Sequence, residues 1–246
     1  MLARAALLAS SRLVHGFTDR NGVVSRGRFE SLNLGRRWGD EPGNVDENLR
    51  RVAEAGGFLP EQLRMVRQVH GAAAWRASAL TPGTEGDALW ARASDGPVVV
   101  GVMTADCVPV LLADRAASAV AAIHSGWRGT VANVVGATVA ALAGDGVAPS
   151  QLVAAIGPCI EVEAFEVGEE VAEQFAAEHV RREPGARPHV DLVAAVRAQL
   201  VAAGVPKDSI ERVGGCTCRH PEQYFSYRRD GAGIGQMLAF IGICGA

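Results

Sequence analysis

Continuous apolar runs alternate along the chain with stretches where apolar residues recur at three- and four-residue spacing, which predicts a mixed α and β protein. Pro97–Met103 contains three consecutive valines, as expected of a strand covered on both faces. Val108–Ala113 and Ala117–Ile123 read as two further strands joined by a turn around Arg115-Ala116. Shorter strands are expected at Leu13–Phe17, at Met65–Val69 ending on His70, at Leu152–Ile156 and at Gln236–Ile243. After Asp40 and Pro42, Val45, Leu49 and Val52 recur at helical spacing until Gly56-Gly57. Further helices are expected over Thr130–Leu142, Gly168–Ala177 and Asp191–Ala203, the last with Asp191 as N-cap. No repeat or linker interrupts the pattern, so residues 1–246 are read as one α+β domain of mixed sheets with packed helices, Pro184–Pro188 being a surface loop.

Composition narrows the class. With 246 residues, 48% hydrophobic and 21% charged, the chain suits a soluble globular protein with a large core. A net charge of −3 without a long basic run argues against nucleic acid as a partner, although local arginines can still serve a small anion. Five scattered cysteines, an odd number, suit reduced thiols better than a disulfide scaffold. The basic, alanine-rich Met1–Val14 has its longest apolar run at Ala5–Ala9, shorter than the roughly 7–15 residues of a signal core. No stretch approaches the ~20 apolar residues of a membrane span, so a cytoplasmic location is expected.

The hairpin carries the candidate chemistry. An even-numbered loop centred on Arg115-Ala116 pairs Val108 with Ile123 and sets Cys107 opposite His124. Opposed residues of an antiparallel pair share a face with Cβ atoms about 4.5–5.5 Å apart. That separation suits two ligands of one metal, since Zn–S is about 2.3 Å and Zn–N about 2.0–2.1 Å. The same spacing suits a buried cysteine beside a core histidine, and spacing alone does not choose. His70, followed by Gly71, is the third candidate; two His and one Cys leave a tetrahedral position open, as in catalytic sites. Cys216, Cys218 and His220 alternate with period two and would share one face of a strand, as a second metal site or as core. Gly231-Ala232-Gly233-Ile234-Gly235 imitates a dinucleotide fingerprint, but no βαβ unit follows it, and it reads as a loop.

Five motifs occur in order: Gln68-Val69-His70-Gly71, Thr104-Ala105-Asp106-Cys107-Val108-Pro109, His124-Ser125-Gly126-Trp127-Arg128-Gly129, Ile156-Gly157-Pro158-Cys159-Ile160 and Phe225-Ser226-Tyr227-Arg228-Arg229-Asp230-Gly231. With Leu32-Asn33-Leu34-Gly35, Gly39-Asp40 and Asn48, they closely resemble the laccase-domain, polyphenol-oxidase-like family, whose members are described as purine nucleoside phosphorylases. The resemblance runs from about His15 to Ile243. It implies metal ligands at His70, Cys107 and His124 and a Zn2+ cofactor. It also implies phosphorolysis of adenosine, inosine and S-methyl-5′-thioadenosine to base and (methylthio)ribose 1-phosphate, with adenosine deamination besides. The rival label in the same family is a copper-dependent polyphenol oxidase. Six histidines without an HxH pair are few for a multi-copper array, and one redox-inert zinc suits the ligand count better. Copper could still occupy the same ligands.

Roles for other residues follow from their neighbourhood. Deamination requires a carboxylate to move a proton. Asp106 is the candidate, although on a regular strand it faces away from its neighbour Cys107. Asp87 could instead fix a histidine tautomer. For phosphate, Ser125 through Gly129 lie near a helix start, with Arg128 one turn after His124. Arg20 and Arg228 are further anion-binding candidates, and Asn33 and Gln68 could bind base or ribose. Two positions depart from the family pattern: Val23 stands where a glycine is usual, and Gln236 where an arginine is common, which would weaken phosphate binding if that arginine contacts it.

Overall fold

Residues that read as strands covered on both faces do so because two sheets stack and helices cover the outside. The computed structural model describes residues 2–22 and 24–244, so Val23 and its departure from the family pattern lie outside the described residues. In chain order the strands are β1 (Leu2–Ala3), β2 (Leu13–Thr18), β3 (Leu63–Arg64), β4 (Ala74–Arg76), β5 (Ala88–Arg92), β6 (Val99–Thr104) and β7 (Val108–Asp114). They continue with β8 (Ala119–Ser125), β9 (Leu152–Ile156), β10 (Val180–Arg181), β11 (His189–Val190), β12 (Ile210–Arg212) and β13 (Met237–Ile243). The helices are α1 (Pro42–Gly56), α2 (Trp127–Val131), α3 (Val134–Gly144), α4 (Glu169–Ala172), α5 (Leu192–Ala202) and α6 (Tyr227–Asp230).

One sheet has the order β1-β2-β13-β6-β3 and the other β12-β9-β7-β8-β5-β4, with β10 and β11 as a separate pair. Both are mixed: antiparallel inside, with β3, β4 and β12 pairing in parallel at edges. Alternate residues go to different layers. Leu111, Ala113, Val120 and Ala122 meet Val100, Val102, Ala239 and Ile241 between the sheets. Val110, Leu112, Ala121 and Ile123 turn instead toward Val135, Val139 and Leu142 of α3 and Val196 and Leu200 of α5. On the far side, Val99, Leu238 and Phe240 meet Val52, Ala53 and Phe58 at α1 and the turn after it. The expected α+β class of mixed sheets and packed helices is what forms. Among the described residues no helix is long and apolar enough to cross a membrane.

Several expectations hold closely. Strand β9 has the expected bounds, Asp191 Oδ1 caps α5 by accepting from Ala194 N at 2.8 Å, and Gly57 ends α1 at φ 79°. Others need correction. The hairpin pairs Val108 with Ser125 and Val110 with Ile123, so His124 lies opposite Pro109, not Cys107. The turn is shifted because the Asp114 carboxylate accepts from Ser118 N at 2.6 Å and Ala119 N at 2.7 Å, holding 115–118 as the loop. A slip of two residues keeps every side chain on its face. The helix expected over Thr130–Leu142 is two helices, broken where Asn133 adopts φ 57° and its side chain caps Gly136 N. The Gly168–Ala177 helix contracts to α4. Met65–Val69 is a loop whose single bridge is at Arg67, and Cys216–Arg219 is a bridge and turn instead of a strand.

Candidate metal centre

The proposed ligands converge where the chain passes from one sheet to the other. Strand β6 leaves the first sheet, Ala105-Asp106-Cys107 turns with Asp106 at φ 104°, and β7 enters the second. This corner sets Cys107 beside His124 of β8, and the loop after β3 brings His70, at φ 60°. Donor atoms of His70, Cys107 and His124 all lie within 4.8 Å of one another, the one such cluster found among the described residues. The two imidazole rings meet edge to face, 4.9 Å between centroids at 79°. The sequence-based trio is thus brought together, but by the corner rather than by the expected strand register.

Asp87, immediately before β5, is fully buried. Its Oδ1 accepts from His124 Nδ1 at 2.8 Å and from His70 N at 2.9 Å, and its Oδ2 from Gly71 N at 2.6 Å. With Nδ1–H donated to Asp87, the lone pair of His124 is on Nε2, directed at the cluster. Burial opposes ionisation of Asp87, but the His124 ring and the Gly71 and His70 amides outweigh it, and its carboxyl titrates below the usual range. Burial likewise opposes the Cys107 thiolate, yet the charge and hydrogen bond of His124, aided by His70, bring the thiol down to about 6. His124 is pushed the other way for the same reason: the thiolate and Asp87 outweigh the cost of burying the imidazolium. Gly126 completes the site by absence, since a Cβ there would sit 2.9 Å from both Cys107 Sγ and His70 Cδ2. A thiolate and two oriented imidazoles at this separation fit a borderline metal ion.

The remaining candidates fall into two groups. Arg128 is exposed, stacks 4.2 Å over the Trp127 ring, and its guanidinium has no hydrogen-bond or carboxylate partner among the described residues. Arg228 is also exposed, with Nη1 donating to Glu166 O at 2.6 Å and its guanidinium 5.2 Å over Phe165. The others are engaged within the protein. Asn33 is buried, its amide bonded to Gly35, Asp40 Oδ2 and Gln236 N. Gln68 bonds both backbone groups of Met103, at 2.8 and 2.9 Å. Ser125 Oγ is buried 2.8 Å from Thr130 Oγ1, which donates to Gly126 O. Arg20 donates to Glu30 O and Pro221 O and lies 4.5 Å over Phe225. Asp106 Oδ1 accepts from Thr217 Oγ1 and Oδ2 from Arg228 N, each at 2.6 Å. Gln236 serves the Asn33 loop, its carbonyl accepting from Leu34 N at 3.1 Å. Sequence reasoning missed Gly126 and the Asp87 bonds to the His70 loop. A glycine two places after a ligand was the available signal for the first, and nothing local announced the second.

Residues 14–244 match the family model described as multi-copper polyphenol oxidoreductase laccase. The chain is 42% identical to a purine nucleoside phosphorylase of Deinococcus radiodurans over 98% of its length and 92% of the relative's. It is 38% identical to purine nucleoside phosphorylase YfiH of Escherichia coli, over 91% of each. Among solved structures, YlmD of Geobacillus stearothermophilus superposes with a TM-score of 0.88 at 33% identity, covering 98% of this chain and 94% of that one. With the His70, Cys107 and His124 cluster in place on this fold, the chain belongs to the laccase-like polyphenol oxidoreductase family that includes the YfiH purine nucleoside phosphorylases.

Proposed function

We propose that the chain is a zinc-dependent purine nucleoside phosphorylase that also deaminates adenosine. Its substrates in this reading are adenosine, inosine and S-methyl-5′-thioadenosine, with phosphate as co-substrate. The observation that carries the reading is one compact His/Cys/His cluster in a chain whose full-length relatives are named for this reaction. His70, Cys107 and His124 would hold the zinc, which when bound supplies Lewis acidity at the sheet rim. Three protein ligands leave a position free for chemistry. Arg128, in the first turn of α2 just after β8 and with a guanidinium that has no hydrogen-bond or carboxylate partner among the described residues, binds phosphate as a charge-assisted donor. Arg228, exposed at the Asp106 corner, contributes a second guanidinium once its Nη1 releases Glu166 O. Asp106, with both oxygens accepting hydrogen bonds, ties that corner to the Arg228 backbone; proton transfer by it requires one of those bonds to open. Asn33, Gln68, Ser125 and Arg20 shape the frame, since reaching substrate would cost each an internal bond. A cytoplasmic setting, with reduced thiols and free nucleosides, goes with this reading.

The test is product analysis of zinc-loaded protein given adenosine with and without phosphate. Adenine and ribose 1-phosphate formed only with phosphate, and inosine formed in both, are the expected results. No product from adenosine, inosine or S-methyl-5′-thioadenosine would overturn the reading. The description of the family model favours a second reading, a copper-dependent oxidase of phenols. None of the four remaining histidines joins a second ligand cluster among the described residues, which speaks against a multi-copper array, and three of the four are engaged elsewhere. His15 Nε2 bonds Ala5, His189 Nδ1 bonds Val162 O at 2.7 Å, and His220 lies 3.5 Å from Glu222. Oxygen consumption by the copper-loaded protein with a phenol, in the absence of any nucleoside cleavage, would establish the second reading.

A further inference from the structure

We infer that Asp87 is the positioning residue of both imidazoles: one buried carboxylate holds the His124 ring and, through backbone amides, the left-handed turn that aims His70. The inference rests on the metal reading of the cluster and goes beyond it. A carboxylate offers about four acceptor positions, and all four are used here. Oδ1 takes His124 Nδ1 at 2.8 Å and His70 N at 2.9 Å; Oδ2 takes Gly71 N at 2.6 Å and Val69 N at 3.3 Å. Three consecutive amides folded around one anion form a nest, a shape that requires a left-handed residue. His70 supplies it at φ 60°, a conformation uncommon for a residue with a side chain. The ring orientation at His70 therefore depends on an anion at the centre of its own loop.

Rigid elements place that anion. Asp87 N donates to Ala73 O at 3.0 Å and Asp87 O accepts from His124 N at 2.7 Å, so its backbone is fixed beside β4 and on the ladder between β5 and β8. His124 is thus bonded to Asp87 twice, by main chain and by ring. The segment before His70 is held by the Arg67 bridge to Glu85 and by Gln68 on Met103, but past Gln68 the Val69, His70 and Gly71 amides all donate to the carboxylate, which gives that turn its shape. An asparagine could satisfy only half of this arrangement. Its amide nitrogen would face either the Gly71 and Val69 amides or the His124 and His70 donors, and one imidazole would lose its aim in either orientation.

The test compares wild type with Asp87→Asn by zinc affinity, measured against a chelator, alongside thermal stability. The account expects one zinc per chain in wild type and an affinity about 10- to 100-fold weaker in Asp87→Asn. In the zinc-loaded wild type, nitrogen-resolved NMR should find His124 ligated through Nε2 with a slowly exchanging proton on Nδ1. A folded Asp87→Asn with undiminished zinc affinity overturns the inference, even if its stability falls, because the role would then be structural only. Should the variant not fold, the wild-type spectrum decides: ligation of His124 through Nδ1 overturns the inference. A wild type without zinc affinity overturns the metal reading, and this inference with it.

Discussion

Of the five cysteines, Cys107 on one side and the pair Cys159 and Cys216 on the other differ most in what surrounds the sulfur. Cys107 sits with two imidazoles, one of them braced by a buried carboxylate, and its thiol titrates near 6. Cys159 and Cys216 face each other across an isolated bridge in the apolar core, both buried. There burial dominates, only partly offset by Arg212, and pushes the Cys159 thiol up to about 12. Cys216 Sγ accepts from Glu161 N at 3.4 Å, and His220, which the period-two spacing would have aimed at the same face, lies on the surface near Glu222. Burial does not make a cysteine a ligand. Nor does a nearby cation suffice, since Arg212 Nη2 lies 3.5 Å from Cys159 Sγ; Cys107 differs in having two imidazoles beside it, whose charge and hydrogen bonds favour the thiolate that binds metal.

The contrast can be broken by experiment. The largest expected difference is in alkylation of the metal-free protein at pH 7. A thiol with pKa about 6 is mostly thiolate there and one at about 12 almost none, so iodoacetamide should modify Cys107 at least ~1,000-fold faster than Cys159. Because the thiolate is present above the pKa, the Cys107 rate should fall as pH drops through about 6, and zinc should protect it. Next, Cys107→Ser should weaken zinc binding by roughly 100-fold or more, read as metal content after dialysis, while Cys216→Ser keeps normal zinc. Gly126→Ala should weaken zinc by about tenfold, since the new Cβ meets Cys107 Sγ and His70 Cδ2 at 2.9 Å. The smallest effect belongs to the core pair: Cys216→Ser, whose shorter hydroxyl replaces a buried sulfur that accepts from Glu161 N, should cost about 1–2 kcal/mol in denaturant unfolding.

The two groups also mark what the sequence makes legible. Strands such as β9 and β13 and the cap of α5 were readable because burial pattern and capping chemistry are local. The ligand trio became legible through ordered motifs, since its members come from three separate places in the chain. What escaped was set by distant side chains acting on backbone. Gln68 takes both backbone groups of Met103, and the Asp87 carboxylate gathers the Val69–Gly71 amides, so a segment with strand-like composition is a loop. Asp114 widened the hairpin turn and Asn133 broke a helix by similar means. Asp106 illustrates the same limit: its carboxylate joins Thr217 and Arg228, more than a hundred residues away, which no periodicity encodes.

The dependence of nucleoside cleavage on the metal is tested by following zinc content and phosphorolysis of adenosine in the same preparations, before chelation, after it, and after zinc is restored. One zinc per chain is expected, with adenine production that disappears with the metal and returns with it, and no recovery in Cys107→Ser. Undiminished phosphorolysis in the metal-free protein, or in Cys107→Ser, would contradict that dependence.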